Sequence, residues 1–275
     1  MKFADLHLHT VFSDGTFSPE ELIRQTEKAG LSAIAVVDHD TVEGIPLIIE
    51  NALKYGIEVL PGIELTAQYE RLEVHILGYL FDCQNQALLL QLESLRKIRV
   101  ERIYKIIEKL HGIGVRLDPQ AVFALSGNGT VGRLHVARAL VKEKLVSCVE
   151  MAFKKYIGDR SPAYVSGFKL SPEEAVSLIK GAGGIPVLAH PYTITHDDTL
   201  LKIIACGIMG LEVHYPEHSQ AMVNFYLQLA HKYQLLVTGG SDCHGNAKAA
   251  VRIGSMKIPY ELVEKLKQAK DSLIE

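Results

Sequence analysis

Short apolar runs alternate with segments of helical periodicity along most of this 275-residue chain. This alternation is typical of repeated strand–helix units and predicts an α/β fold with a largely parallel sheet. The runs are, in chain order, KFADLH, SAIAVVDH, EVLPGIEL, EVHILGYL, IPVLAHP, IMGLEVHY and LLVTGGSDCH. We therefore expect one large α/β domain or a barrel that carries an insertion, because this length can bury a substantial core.

Two helices between these runs carry clear signals at their ends. The segment SPEELIRQTEKAG has Ser18 as N-cap, Pro19 at the first helical position, Glu21 at the capping-box position and Gly30 beyond the end. The same arrangement begins at Ser171 and predicts a second capped helix that ends near residue 181.

The alternating pattern stops between residues 84 and 168. This stretch contains a long helical segment, the Gly-rich turn SGNGTVGR and the helical segment RLHVARALVKEKL, without a buried strand. It predicts a helical insertion, 84–168, which folds over one face of a barrel formed by 1–83 and 169–275 and contributes to the substrate pocket. A separate domain is the alternative, but no Pro/Ser-rich linker marks its edges.

Composition and charge restrict the classes of partner. Apolar residues make up 48% and charged residues 22% of the chain, as in ordinary soluble domains, and the formal net charge is −3. This charge argues against a general electrostatic attraction to nucleic acid or anionic membrane, so any nucleotide binding must be local. The N-terminus has no signal-peptide pattern and no segment is apolar enough to span a bilayer, so we expect a cytoplasmic protein without a stable protein partner.

The cysteines do not indicate a thiolate site. Cys83, Cys148, Cys206 and Cys243 are widely dispersed and form no CxxC pair. They predict buried thiols, with neither a disulfide framework nor a cysteine zinc site. Strand alternation should point Cys243 away from its neighbours Asp242 and His244.

Nearly every apolar run ends in a side chain that can bind a metal. In barrels of parallel strands, the carboxyl ends of the strands face a common mouth, so these side chains are expected to meet there. Imidazole and carboxylate without thiolate suit Zn, Mn or Fe, and there are more ligands than one tetrahedral ion can use. A multi-metal cluster that hydrolyses phosphoesters is the natural prediction. The residues are His7, His9, Asp38, His39, Glu64, His75, His190, Glu212, His214, Asp242 and His244.

Six motifs in order make the chain recognisable. DLHLHT with SDG, VVDHD, GIE, EVHILGY, LAHP and GSDCH together resemble the polymerase and histidinol phosphatase (PHP) family, from residue 2 to about residue 245. The resemblance implies a distorted, TIM-like (β/α)7 barrel with the helical insertion over the C-terminal face of the strands. It also implies three divalent metal ions, commonly manganese, iron or zinc.

The same resemblance implies which residues bind each ion. They are His7, His9, Glu64 and Asp242 for the first ion, Asp14, His39 and His244 for the second, and Glu64 with His75 and His190 for the third.

Within the family, the chain most resembles phosphoesterases that act on nucleoside 3′,5′-bisphosphates, relatives of which degrade short RNA from the 5′ end. The features responsible are DHDT after the second strand, GRLHVARAL in the insertion and FKKYIGDRSPAYV after it. Arg133 and His135 then occupy positions expected to face substrate phosphate and assist catalysis. Asp40 is a candidate general acid, and His214 and His218 are candidate pocket residues.

Three other functions stay open at this stage. Histidinol-phosphate hydrolysis uses the same chemistry, and an amidohydrolase would need a metal-bridging lysine that no strand end offers. A non-catalytic metal-binding module, like the polymerase-associated family members, is the alternative from another class. One helix is strongly basic between Arg96 and Lys109, which predicts a solvated face or, alternatively, a surface that attracts an oligonucleotide.

Overall fold

A nearly closed barrel of eight strands forms the centre of the computed structural model, which describes residues 1–167, 170–248 and 250–273. The seven predicted strands are present, and one short strand was not predicted. In spatial order the strands are β7-β6-β5-β4-β3-β2-β1-β8. Their bounds are β1 Phe3–Leu8, β2 Ala33–Val36, β3 Glu58–Tyr69, β4 Leu72–Tyr79, β5 Ile185–Leu188, β6 Gly210–His214, β7 Leu236–Gly239 and β8 Ile258–Pro259.

The prediction of parallel strands is wrong for β4. Strands β1 to β3 pair in parallel, as do β5 to β7, but β4 is antiparallel to both of its neighbours, β3 and β5. A hairpin turn at Glu70 joins β3 to β4, so that His75 lies opposite Thr66. His75 therefore reaches the mouth from the N-terminal half of its strand, not from a carboxyl end.

Asp5 joins the two ends of the barrel. Its Oδ1 accepts a hydrogen bond from Ser241 N at 2.8 Å and its Oδ2 accepts one from Gly254 N at 2.9 Å. Nearby, His9 N donates to Cys243 O at 3.0 Å, which extends the contact between β1 and the chain after β7. The two segments approach so closely that a Cβ on Gly240 would lie 2.4 Å from His7 Cβ.

We predict that Asp5→Ala lowers the free energy of unfolding by about 2–4 kcal/mol, because buried backbone N–H groups lose their acceptor. Burial raises the pKa of Asp5 to about 6, above the value of about 4 expected in the unfolded chain. Because the pKa of Asp5 is higher in the folded than in the unfolded state, the contribution of its protonation to the free energy of unfolding is lost as the pH rises from about 4 to 6. Denaturant titrations followed by circular dichroism measure both effects.

The matched control for this variant is Asp271→Ala, which changes an exposed carboxylate near the end of the last helix. Equal unfolding midpoints for Asp5→Ala and Asp271→Ala would show that Asp5 does not stabilise the barrel.

Ten α-helices accompany the strands in the described residues, and the two capped helices begin as predicted. Ser18 Oγ accepts from Glu21 N while Ser18 N donates to Glu21 Oε2, and Ser171 and Glu174 repeat this box. The helices are α1 Pro19–Lys28, α2 Ile45–Leu53, α3 Gln86–Gly112, α4 Pro119–Ser126, α5 Arg133–Lys142, α6 Val149–Ala152, α7 Pro172–Gly181, α8 Asp197–Ala205, α9 Gln220–Lys232 and α10 Glu261–Asp271.

The region predicted as an insertion contains α3 to α6, and its described residues include no strand. At 27 residues, α3 is about 40 Å long. Its first half packs on the barrel core through Leu88 and Leu95, whereas its second half joins a separate hydrophobic cluster whose buried members run from Ile103 to Val165. The predicted boundary at residues 168 and 169 lies outside the described residues, so the division into two parts stays a prediction.

The two ends of the segment that connects β4 to β5 lie side by side. Asp82 N donates to Ala182 O at 2.8 Å, and the Asn85 side chain donates to Gly181 O at 3.3 Å. The chain therefore leaves the barrel after β4 and returns to nearly the same place before β5.

The cysteines are free thiols, and Cys243 packs with Leu8 and Ile34 in a hydrophobic cluster, as strand alternation predicts. The prediction of buried thiols is wrong for the other three, Cys83, Cys148 and Cys206, which are only partly buried. No helix in the described part of the chain combines the length and apolar character needed to cross a bilayer.

Candidate metal centre

The barrel mouth brings all nine predicted metal ligands together, although they span residues 7 to 244 of the sequence. Within each of four overlapping groups, the potential ligand atoms lie within 4.8 Å of one another. The groups are His9, Asp14, His39 and His244; His7, His9 and Asp242; His7, Glu64 and His190; and His39, Glu64 and His75.

Glu64 lies at the centre of these groups. Its Oε1 is 2.7 Å from Nδ1 of His75 and 3.0 Å from Nε2 of His190. Its Oε2 is 3.3 Å from Nε2 of His9 and 3.2 Å from Nδ1 of His39. One carboxylate thus faces ligands from all parts of the cluster, which is the arrangement expected of a bridging ligand.

Asp242 has one oxygen in the cluster and one outside it. Oδ1 lies 3.2 Å from Nε2 of His9, whereas Oδ2 accepts hydrogen bonds from Tyr215 Oη at 2.7 Å and Lys248 Nζ at 2.9 Å. Asp242 and His190 have φ angles of +54° and +24°, which L-residues rarely adopt. Such backbone strain concentrates at functional sites, where the surrounding structure maintains it.

Asp14 faces the remaining histidines. Its Oδ1 is 3.2 Å from Nε2 of His244, and its Oδ2 is 3.8 Å from Nε2 of His39. These three residues belong to one of the four groups, together with His9.

Further carboxylates hold the ligands in place. Glu212 Oε1 lies 2.8 Å from Nδ1 of His7, and Glu212 Oε2 accepts from His190 N at 2.8 Å. Partners of this kind fix the orientation of a metal-binding imidazole. Asp38 accepts from Thr10 N at 2.7 Å and from Ser13 Oγ at 2.6 Å, so it orders the loop after β1.

Burial and mutual charge set the protonation of this cluster. Burial alone would raise the pKa of Glu64, but the neighbouring His39, His75 and His7 hold it well below its usual range. Burial would lower the pKa of His9, but Asp242 and Glu64, whose carboxylate oxygens lie 3.2 Å and 3.3 Å from its Nε2, raise it to about 9. Glu64 likewise outweighs burial and raises the pKa of His75 to about 10.

Several buried ring nitrogens in the cluster lack a hydrogen-bond partner. Among the described residues these include Nε2 of His7, Nε2 of His9, Nδ1 of His39 and Nδ1 of His190. An unsatisfied buried polar atom costs about 1–3 kcal/mol, a cost that a bound cation would remove. The donor set of imidazole and carboxylate also matches manganese, iron or zinc, so the residues fit divalent metal ions.

We predict that metal uptake at pH 7 releases protons. Because the pKa values of His9 and His75 lie above 7 without metal, these imidazoles hold protons that a metal must displace. Affinity for Mn²⁺ should therefore rise as the pH increases from 7 towards 9. Calorimetric titration of metal-free protein in buffers of different ionisation enthalpy measures the protons released.

An observed heat that is independent of the buffer would contradict this prediction. Injection of the same Mn²⁺ solution into each buffer without protein controls for heats of dilution.

A cavity of about 210 Å³ opens onto the cluster, and a patch of charged residues forms its other wall. Glu73 accepts there from Arg133 at 2.9 Å and from Arg102 at 2.6 Å. Arg133 also donates to the exposed Asp159 at 2.6 Å, and Arg99 lines the cavity beside them. The predicted position of Arg133 beside the site is therefore observed, while its role stays a prediction.

The interpretation of the basic helix as a solvated face is wrong for Arg99 and Arg102. Both are buried and line the cavity, whereas Lys97 and Lys105 are exposed and pair with glutamates on the same helix. A signal for this was present, because both arginines continue the 3,4 spacing of Leu92 and Leu95 on the buried face. Glu73 begins the motif EVHILGY, two residues before His75, but the motif itself gave no sign that this glutamate pairs with arginines.

Asp40 and His135 have contacts other than those predicted. Asp40 Oδ2 pairs with Arg99 Nε at 2.6 Å and Oδ1 accepts from Thr66 N at 2.9 Å, and Asp40 does not line the cavity above the cluster. His135 Nδ1 accepts from Gly132 N at 3.1 Å, and burial lowers the pKa of this imidazole to about 4. Their catalytic roles stay predictions that these contacts do not favour.

His214 and His218 also lie outside the lining of this cavity. Nδ1 of His218 is 2.8 Å from Val213 O, and its ring packs among Tyr192, Tyr215 and Tyr226. In their place, Tyr192 and Tyr215 border the cavity.

The comparison with protein families gives one match: the family model described as the PHP domain matches residues 5–161. A solved structure from Bifidobacterium adolescentis, described as a metal-dependent phosphoesterase, has a TM-score of 0.88 and 33% sequence identity, covering 96% of this chain and 94% of that one.

Curated relatives that align with most of this chain differ in name. A 5′-3′ exoribonuclease of Haemophilus influenzae is 33% identical, with 87% of this chain and 89% of the relative aligned. A 3′,5′-nucleoside bisphosphate phosphatase of Chromobacterium violaceum is 32% identical, with 91% and 90% aligned. A phosphoribosyl 1,2-cyclic phosphate 1,2-diphosphodiesterase of Eggerthella lenta is 31% identical, with 91% and 97% aligned.

Proposed function

The chain belongs to the PHP family and is a metal-dependent phosphoesterase, and we propose that it removes the 3′-phosphate of nucleoside 3′,5′-bisphosphates. Hydrolysis of short 5′-phosphorylated RNA is the closely related activity, which the exoribonuclease among its relatives supports. The cofactors would be three divalent ions, for which we propose Mn²⁺, with Fe²⁺ or Zn²⁺ as alternatives.

The observation that carries this proposal is a single cavity with the candidate metal ligands on one wall and arginines on the other. Seven of the nine cluster residues line the first wall, and Arg102 and Arg133 stand on the second. Guanidinium groups present paired donors that match phosphate oxygens. A substrate with two phosphates could therefore place one over the cluster and the other beside the arginines.

The chain's own residues have distinct roles in this reaction. When bound, divalent ions lower the pKa of a water molecule and offset the charge that develops on phosphorus. Glu64, Asp242, Asp14 and their histidines would hold these ions, while Arg133 would orient the second phosphate. An O–P bond forms from water, the P–O3′ bond breaks, and O3′ takes up a proton. Because Asp40 is held in an ion pair with Arg99, we propose that water supplies that proton in place of Asp40.

Release of inorganic phosphate with Mn²⁺ present tests the assignment. We expect adenosine 3′,5′-bisphosphate to be hydrolysed at least about tenfold more efficiently than histidinol phosphate, because only the nucleotide offers a second phosphate. A preference for histidinol phosphate would overturn the nucleotide assignment. Failure to hydrolyse even an aryl phosphate would favour a non-catalytic metal-binding module.

A further inference from the structure

A second cavity adjoins the one above the metal centre. It measures about 700 Å³ and lies between the hairpin turn joining β3 and β4, the end of the insertion and the start of α8. Thr193 lines both cavities, and Asp159, which lines the second, pairs with Arg133 of the first. The two spaces are therefore neighbours that share a wall.

The second cavity is lined by groups suited to single-stranded nucleic acid. Arg71 and Arg160 are exposed, and within the described residues neither makes a hydrogen bond or an ion pair. Tyr69 adds an aromatic side chain, and Thr195 adds a hydroxyl. Sequence-tolerant RNA binding uses arginine to contact phosphate, an aromatic side chain to stack on a base and hydroxyls to contact ribose. Glu70 also lines the cavity and carries the opposite charge.

The sizes of the two cavities favour a substrate that occupies both of them. Small-molecule sites commonly measure roughly 300–1,000 Å³. The first cavity, at about 210 Å³, lies below this range and has no room for a further nucleotide beyond the one whose phosphates it would bind. Any longer chain must continue elsewhere, and the space beside Thr193 is more than three times larger, at about 700 Å³.

We propose that this second cavity is a subsite for the nucleotides that follow the cleaved linkage in a short 5′-phosphorylated oligoribonucleotide. This inference rests on the proposed function and assigns a place to the part of the oligoribonucleotide that lies beyond the reacting linkage. Water adds its oxygen to phosphorus and the P–O3′ bond breaks. The 3′ oxygen of the first nucleotide takes up a proton, and the remaining chain leaves with a 5′-phosphate. Arg71 and Arg160 contact the phosphates of that remaining chain.

Direct binding tests the subsite independently of catalysis. The probe is a tetraribonucleotide with a 5′-phosphate, slowly hydrolysed phosphorothioate linkages and a 3′ fluorescein, measured by fluorescence anisotropy with Mn²⁺ present. We expect R71A/R160A to bind it at least about tenfold more weakly than wild type. The dependence of log K on log salt should also fall by about 0.7 for each lost phosphate contact. Arg116→Ala, which removes an exposed arginine that lines neither cavity, should bind as wild type does.

The kinetic readout is the ratio of kcat/KM on unmodified 5′-phosphorylated tetraribonucleotide to kcat/KM on adenosine 3′,5′-bisphosphate. This ratio should fall about tenfold or more in R71A/R160A. Absence of probe binding by wild type, equal binding by wild type and R71A/R160A, or an unchanged ratio overturns the subsite. Phosphate release from the bisphosphate by wild type tests the proposed function separately, so either hypothesis can fail while the other stands.

Discussion

Glu64→Gln is expected to reduce kcat/KM for phosphate release by about a thousandfold or more, equivalent to about 4 kcal/mol of transition-state stabilisation. The carboxylate faces histidines in several parts of the cluster, at distances from 2.7 Å to 3.4 Å. Glutamine has nearly the same shape but loses the negative charge and one acceptor oxygen. The protein should therefore bind fewer metal ions, which mass spectrometry of the dialysed protein would measure.

The matched control is Glu108→Gln, which makes the same change at an exposed position on α3. It should retain wild-type activity and metal content. Glu64→Gln protein that folds, binds the full complement of metal and turns over at the wild-type rate would refute the bridging role of Glu64.

Arg133→Ala is expected to lower kcat/KM for adenosine 3′,5′-bisphosphate by about a hundredfold, mainly through KM. Each charge-assisted hydrogen bond contributes about 1.5–3 kcal/mol, and a guanidinium can form two with one phosphate. Arg133→Lys should restore only part of this loss, because an ammonium group lacks the paired donors. The substitution should lower kcat/KM much less for adenosine 3′-monophosphate, which lacks the 5′-phosphate. Initial-rate kinetics on both substrates measure the difference.

Arg24→Ala, at an exposed position on α1, provides the control. Equal losses on the two substrates would contradict a contact between Arg133 and the 5′-phosphate. They would instead indicate that Arg133 acts only through its ion pair with Glu73, at 2.9 Å.

The sequence predicted that these nine side chains lie close together, because local geometry determines much of their arrangement. Two residues apart on β1, His7 and His9 must share a face of the strand, and the loop after it carries Asp14. Parallel strands then bring Asp242 and His190 to the same mouth. The ligands could therefore be found without knowing how far apart the helices lie.

The direction of β4 in the sheet could not be predicted in this way, because the alternation of apolar and polar residues is the same in a parallel and in an antiparallel strand. Its hairpin turn contains Glu70 at φ +54°, a conformation usually assigned to glycine or asparagine. No Asn-Gly or Asp-Gly pair marks the turn. The antiparallel pairing of β4 was therefore not predicted.

Arg99 and Arg102 were misjudged for a different reason. Charged residues usually indicate a solvated helix face, and here they continue the apolar stripe because the insertion folds back over the mouth. Glu73 forms an ion pair with Arg102 at 2.6 Å, and Asp40 forms one with Arg99 at the same distance. Such pairs depend on tertiary contacts between distant segments, which periodicity alone does not contain.

The hydrogen bond between Asp82 and Ala182 has a consequence for how such enzymes diversify. Since the chain departs from and returns to adjacent points, the segment between them can change in length without altering the gap that the chain must span between β4 and β5, provided that the faces of α3 and α7 that pack on the barrel are kept. The nine candidate metal ligands lie outside this segment, whereas Arg99, Arg102 and Arg133 lie within it, so a change in the segment would alter the second wall of the cavity and leave the cluster in place. A chimera joined at residues 82 and 182 would transfer a relative's substrate preference onto this barrel.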